Sequence, residues 1–346
     1  MRIKHSQMQS FSHDLLRGYG VEDQQAAIIG KNLAWHEMVG RTNFGLLRLP
    51  LYVDRLVAGG LNPVSCPLLE ESGTGMGVMD GDNGFGQYVG TMAMEAAIGR
   101  AKDFGTGIIA VQNSNFFGSG AWFTDMAAAE GLIGIAMSNS FPKVIAHGGL
   151  TPVFGTNPFA FGAPRRNGEN ILVDMATSAL AGSTVRQYKE SGQALPPGLA
   201  IDGEGAPITD PHLAESGALL PFGGAKGYGL ALMVEILAGV IAGAGISHGV
   251  KSMYRDLATG GDNGHLMMAI DINSLMPLET YYFRLEGLIE LIKASQPDGE
   301  VLLPGEIRWR NYHHHDQHGV ELQTGLVAAL SDLAGPVGLS MENYTG

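Results

Sequence analysis

Apolar positions between residues 7 and 60 recur at helical spacing, with Ala26, Ile29, Leu33 and Met38 on one face and Leu46, Leu49, Tyr52, Val53 and Leu56 on the next. Gly59 and Gly60, followed by Pro63, end that helical section. From about residue 71 the pattern changes. A helical stretch over 87–104 precedes an apolar run at 107–112 that reads as a buried strand, and a second helix over 121–130 precedes a second such run at 131–138. Residues 171–174 and 266–272 read as further strands and 281–294 as a helix, while 322–333 forms an amphipathic helix that rejoins the N-terminal helices. Helix alternating with strand predicts a mixed α/β (α+β) fold. There is no internal repeat.

One window, residues 228–246, is long enough to cross a bilayer of about 30 Å. Glu235 sits at its centre, where a carboxylate costs a few kcal/mol, and a polar Gly-Gly-Ala-Lys-Gly turn precedes it. The segment therefore reads as a soluble helix, apolar all round and buried inside a large domain.

The length of 346 residues suits about two domains. With 21 Lys+Arg against 34 Asp+Glu the net charge is −13, so no basic face is expected for a nucleic acid or an anionic membrane. Cys66 is the one cysteine, which excludes an internal disulfide and fits a reducing compartment. The N-terminus lacks the apolar core of a signal peptide, so the expected address is the cytoplasm. The 51 glycines, about twice the usual share, follow no period. They imply tight turns and close backbone approaches of the kind that wrap a cofactor.

Neither Gly-x-Gly-x-x-Gly nor a P-loop occurs, so any dinucleotide is held by another arrangement. The best phosphate candidate is the 221–229 run, where glycines flank Lys226 just before a long helix; the plainer alternative is a helix-entry turn. His313, His314, His315 and His318 have spacing compatible with a metal, but beside Asp316, Gln317 and Gly319 they read as a solvated polar loop, and no metal site is expected. For hydrolytic chemistry, Cys66 has no neighbouring base in the sequence.

Several segments together carry a more specific signal. They are Gly45-Leu-Leu-Arg48-Leu-Pro-Leu-Tyr52 with Leu56, Gly59, Gly60, Asn62 and Pro63; Asn113-Ser-Asn115 with Phe117 and Gly118; 131–139; Gly148-Gly149; Gly155-Thr-Asn-Pro158; Asp174-Met-Ala-Thr-Ser178; Thr209-Asp-Pro211; 223–229; and Pro304-Gly-Glu306. In that order, over nearly the whole chain, they resemble the type 2 malate/L-lactate dehydrogenase family of NAD(P)H-dependent oxidoreductases. His147-Gly148, 217–224 and 174–179 look most like its branch that reduces cyclic imino acids such as Δ1-piperideine-2-carboxylate.

The resemblance implies a non-Rossmann α/β cofactor domain over 71–299, a mainly helical domain from residues 1–70 and 300–346, and a homodimer. It implies NADPH, or alternatively NADH, lying against Gly118, His147, Asn157, Asp174, Met175, Ala176, Thr177, Ser178, Gly224, Lys226, Gly227, Pro304, Gly305 and Glu306. Lys226 would face a cofactor phosphate. Arg48 would hold a substrate carboxylate, a task suited to a two-pronged guanidinium.

The chain also departs from the family pattern. Where the family typically has Ser-His-Gly it reads Asn43-Phe44-Gly45, and where Asn-His-Phe-Gly is typical it reads Asn115-Phe116-Phe117-Gly118. Reducing a ketone needs a proton donor, typically worth about 10² to 10⁴ in rate. Phenylalanine supplies none. An alkylimine, however, is basic enough to arrive protonated. The expectation is therefore reduction of a carboxylate-bearing imine, with Phe44 and Phe116 walling the pocket and Asn43, Tyr52 or His147 as hydrogen-bond partners or substitute acids. The alternatives are a 2-oxo acid reductase that uses His147 or Tyr52 as donor, and a non-redox descendant of the same scaffold.

Overall fold

A computed structural model of the protein describes residues 1–71, 73–214, 216–296 and 299–344, with the backbone alone at 71, 183, 186 and 190. Its helices are α1 (His5–Gly18), α2 (Asp23–Met38), α3 (Leu49–Ala58), α4 (Gly86–Phe104), α5 (Gly120–Ala129), α6 (Gly182–Ser191), α7 (Pro211–Ala214), α8 (Ala225–Val234), α9 (Leu278–Ala294), α10 (Glu306–His318) and α11 (Thr324–Ala334). The strands are β1 (Arg2–Ile3), β2 (Leu68–Glu71), β3 (Met76–Asp80), β4 (Thr106–Ser114), β5 (Leu132–Ser138), β6 (Val144–Ile145), β7 (Pro152–Phe154), β8 (Phe159–Ala163), β9 (Ile171–Met175), β10 (Ala200–Ile201), β11 (Ala218–Leu219), β12 (Asn263–Asp271) and β13 (Val320–Glu321).

The fold is mixed α/β, organised on a seven-stranded sheet of order β2-β3-β4-β12-β5-β8-β9. Only β3 and β4 pair in parallel; the other neighbours are antiparallel, so this is not a doubly wound nucleotide-binding sheet. α4 and α5 cover one face through Val89, Met94, Ala97, Phe123 and Ala127. α8 covers the other and continues as a π-helical turn, Glu235–Val240, setting Val234, Ala238 and Ala242 against Ala110, Met137 and Leu266. A smaller sheet, β10-β11-β6-β7, has its own apolar cluster around Val144, Leu195 and Leu219.

Both chain ends enter one core. β1 pairs with β13, and Met8, Phe11, Leu15 and Leu16 of α1 share a cluster with Leu330 and Ala334 of α11. The Tyr19 hydroxyl donates to the carbonyl of Leu333 (2.9 Å). Those α1 residues recur at helical spacing, which is why the amphipathic pattern could be read from sequence.

Two expectations are corrected. The 228–246 segment is not buried all round: Leu232, Ile236, Val240, Ile241 and Ile246 are exposed, because the sheet covers only one side of the helix. No helix among the described residues is long and apolar enough to cross a membrane. Secondly, His313, His314, His315 and His318 lie on α10 rather than in a loop. His313 pairs with Glu169 (2.9 Å) and His315 bonds to the carbonyl of Met38 (2.8 Å), so polar partners hold a helix that has no apolar stripe to announce it.

Gly264 in β12 shows how closely the layers meet, since a Cβ there would lie 1.7 Å from the carbonyl oxygen of Ala238. Gly264→Ala is expected to destabilise the fold by about 1–3 kcal/mol through overpacking. Gly99→Ala, at an exposed position of α4 with nothing within 4 Å, should stabilise by about 0.5–1 kcal/mol. Thermal unfolding of the two variants checks both signs.

Candidate active site

The first group of expected residues assembles around Arg48. Glu37, buried on α2, accepts the Leu46 amide (2.7 Å), and a Cβ at Gly45 would lie 2.2 Å from the same carboxylate oxygen. This contact fixes the turn that leads into α3. Arg48, at the N-cap of α3, is only 7% exposed. Its Nε donates to the carbonyl of Asn43 (2.6 Å), its Nη1 donates to the hydroxyl of Tyr254 (2.8 Å), and its guanidinium lies 5.2 Å from the centre of the Phe116 ring. Phe116 stacks on Phe44 with ring centres 6.2 Å apart. Asn43, Phe44, Arg48 and Phe116 thus meet in one place.

Phe116 is placed by the end of β4. The Asn115 side chain accepts from Arg55 Nη2 (2.9 Å) and the Gly261 amide (2.8 Å), and donates to Asn83 and to the carbonyl of Gly84. A Cβ at Gly86 would meet the Asn115 carbonyl oxygen at 2.1 Å, so glycine lets the start of α4 close onto this turn. Behind it Phe117 stacks on His265 at 4.8 Å, whose ring nitrogens bond to the hydroxyls of Ser138 and Ser114.

A polar layer backs the aromatic pair. Tyr52 is buried and accepts from Gln87 Nε2, and burial pushes its phenol up to about 12. His36 lies 5.7 Å from Phe44, and burial pushes it down to about 3. Neither group exchanges a proton easily near neutrality, which counts against Tyr52 as a substitute acid. Buried polar atoms of Asn32, His36 and Gln87 that lack a protein partner cluster at Gly118, whose φ of +86° and missing Cβ leave room between them.

The second group gathers around the 221–227 turn. Ser178 bridges to Pro221, the Phe222 amide donates to the carbonyl of Thr177 (3.1 Å), and His147 lies 3.5 Å from where a Gly224 Cβ would sit. Gly223 and Gly224 take φ of +56° and +64°, and no side chain caps the start of α8, so its first amides and the exposed Lys226 present a site that fits an anion. Gly227 is buried against Phe222, and Met175 and Ala176 lie just before Thr177, with Met175 exposed.

Other side chains expected at the cofactor are engaged within the protein. Asp174 pairs with Arg308 (3.1 Å) and accepts from Ser119 (2.8 Å). Asn157 donates to Glu235 (2.7 Å), Thr177 to the carbonyl of Thr156 (3.1 Å), and Ser178 to the carbonyl of Leu180 (2.6 Å). Glu306 is held by Lys293 (2.6 Å) and the Leu303 amide (2.8 Å). Pro304 and Gly305 dock at the start of β9, against Leu172 and Asn170, whereas Thr177 and Ser178 meet the turn beyond its other end. Among the described residues no cluster of three or more His, Cys, Asp or Glu could hold a metal. A cleft of about 380 Å³ lined by Asp202, Ile208, Leu213 and Gly217 opens in the smaller sheet region and includes none of these residues.

The pattern of residues 3–331 matches that of malate/L-lactate dehydrogenases. The L-sulfolactate dehydrogenase of Methanothermobacter thermautotrophicus is 34% identical over 344 residues, 99% of each chain. The chain belongs to the malate/L-lactate dehydrogenase family.

It is accordingly an oxidoreductase. Its fold superposes on the sulfolactate dehydrogenase of Methanocaldococcus jannaschii with a TM-score of 0.93, at 34% identity and over 100% of both chains. The Δ1-piperideine-2-carboxylate reductase of Pseudomonas syringae gives 0.90, at 31% identity over 96% of this chain and 100% of that one.

Sequence reasoning missed Tyr254, Arg55 and Glu37. Glu37 had a signal, as an acid spaced four from Leu33 on an apolar stripe; Tyr254 had none, being 206 positions from Arg48. Burial pushes Glu37 up to about 7, so the folded state favours its protonated form. The stability this contributes is complete below the ordinary value of 4.5 and is lost as pH rises through 7. Glu37→Gln should remove that dependence. Its melting temperature relative to the native protein is expected to rise by a few degrees between pH 5 and pH 8; an unchanged difference would contradict the burial argument.

Proposed function

We propose that the protein reduces the C=N bond of a carboxylate-bearing imine, using NADPH, with NADH as the alternative donor. The observation that carries this reading is the inventory around the aromatic pair: Arg48 stands against Phe116 and Phe44, while the nearest imidazole, His36, is held neutral by burial. Arg48 anchors the carboxylate, and the two rings exclude water and wall the reacting carbon. Asn43 steadies Arg48 through its carbonyl. Reduced nicotinamide, when bound, supplies a hydride.

An alkylimine that arrives protonated becomes a neutral amine with no acid from the protein, so a His36 held neutral costs little. Lys226 and the uncapped start of α8 hold a cofactor phosphate, with His147, Met175, Gly224 and Gly227 beside it. The similarity to a Δ1-piperideine-2-carboxylate reductase supports this reading. A second reading, reduction of a 2-oxo acid, is favoured by relatives named sulfolactate and malate dehydrogenases. The exposed Leu232, Ile236, Val240 and Ile241 suit burial against a second copy in a homodimer, and the single exposed Cys66 suits the cytoplasm.

The purified protein is mixed with NADPH or NADH and panels of cyclic imino acids, amine plus oxo acid pairs, and 2-oxo acids, and the absorbance of the reduced cofactor is followed. Turnover with imines supports the proposal, and turnover with oxo acids alone supports the second reading. Arg48→Ala should lower kcat/KM by about 10²-fold or more, since each charge-assisted hydrogen bond is worth roughly 1.5–3 kcal/mol. An unchanged value would remove the anchor assignment.

A further inference from the structure

Tyr254 joins the polar groups of this pocket through Arg48. It is 42% exposed, its ring meets Phe141 edge-on at 6.1 Å, and its oxygen lies 2.8 Å from Arg48 Nη1. A guanidinium only donates, so the phenol oxygen accepts there and its own hydrogen points away from Arg48. Building on the C=N reading, we propose that Tyr254 donates the proton to the substrate heteroatom, the imine nitrogen, so that the neutral imine is reduced as well as the protonated one.

The pair is built into the fold. Arg55, two turns along α3 from Arg48, donates to the carbonyl of Thr259 (2.9 Å), and the Lys251 amide donates to the carbonyl of Gly261 (2.9 Å). A Cβ at Gly60 would lie 2.0 Å from the carbonyl oxygen of Leu257. These contacts hold the segment carrying Tyr254 against the helix carrying Arg48. In an α-imino acid the nitrogen and the carboxylate sit on the same carbon, so a donor bonded to the carboxylate anchor is placed beside the nitrogen.

The step balances. The carbon takes a hydride, with its electron pair, from reduced nicotinamide; the C=N π pair moves to nitrogen, and nitrogen takes the proton as the O–H bond of Tyr254 breaks. The products are a secondary amine, oxidised nicotinamide and a phenolate that regains its proton from water. Arg48 stabilises the charge that builds on the phenol oxygen. Facing groups that could confound a pH profile include Arg48, Tyr52 and Arg55 from α3 and Arg255 and Asp256 on the segment itself. Tyr52 is pushed up to about 12, and Asp256 accepts the Ser252 amide.

Tyr254→Phe keeps the ring on Phe141 and removes only the hydroxyl. For a cyclic imino acid, native kcat/KM should hold as pH rises past the pKa of the substrate, whereas the variant should fall about tenfold per pH unit there. Below that pKa the two should agree within about threefold, and calorimetry should show the product amino acid binding both alike. An identical pH profile overturns the proposal, as does a uniform loss at every pH with weakened product binding, which would mark Tyr254 as a support for Arg48. If only oxo acids turn over, the C=N reading fails on its own; Tyr254 as donor then stands with a drop of about 10² to 10⁴ in kcat and falls without it.

Discussion

The Arg55 guanidinium joins three distant stretches of chain at one buried point. It is 2% exposed, with the Asp256 carboxylate acting on it only through space; its Nη2 donates to the carbonyls of Gly60 and Thr259 and to Asn115 Oδ1 at 2.9–3.1 Å. A buried charge is tolerable only when such dipoles replace its water. The consequence is geometric, because loosening any one oxygen would leave the charge uncompensated, so α3, the end of β4 and the 250–262 segment are held in register. Arg48, Tyr52 and Arg55 fall at helical spacing on one face of α3, so fixing Arg55 also aims Arg48 at Phe116 and Tyr254.

The charge pattern around this junction opposes that of the whole chain. The protein carries −13 overall, yet Arg41, Arg48 and Arg308 all act on His36 in the sense of a positive field, adding to the burial that keeps it neutral. A cationic recess in an anionic protein attracts a small carboxylate while repelling extended polyanions. Neutral His36 and His265 also explain how so many polar groups pack behind the aromatic pair, since an imidazole without charge can accept as well as donate.

The elements that sequence reasoning found are those with a sustained period. α4, α5, β4, β5, β9, β12, α9 and α11 all lie within a few residues of the expected ranges, since each carries a sustained apolar period. β6, β10, β11 and the β1–β13 pair have two residues per strand, too short for any period to show. The insertion of β12 between β4 and β5 is a property of the whole sheet, so no local pattern encodes it. The same division holds at the site. Phe44, Arg48 and Phe116 stood out through short motifs, whereas Tyr254 reaches Arg48 only through the long-range packing organised by Arg55. Asp174, Asn157 and Glu306 sit in motifs of the expected kind but spend their side chains on Arg308, Glu235 and Lys293.

For an imine the identity of the acid decides the pH range over which the reaction runs. An imidazolium loses its proton as pH passes about 6.5, so it cannot serve an imine that has become neutral above that pH. A phenol ordinarily keeps its proton to about pH 10 and can still donate when the substrate has lost its own. A pocket with phenylalanine at 44 and 116 and tyrosine at 254 thus trades a strong acid that works below neutrality for a weaker one that works above it. The guanidinium of Arg48 offsets that weakness, because it meets the phenol oxygen at 2.8 Å where charge develops as the proton leaves. In the proposed reaction one side chain serves both ends of the substrate, holding the carboxylate and helping the proton transfer beside it.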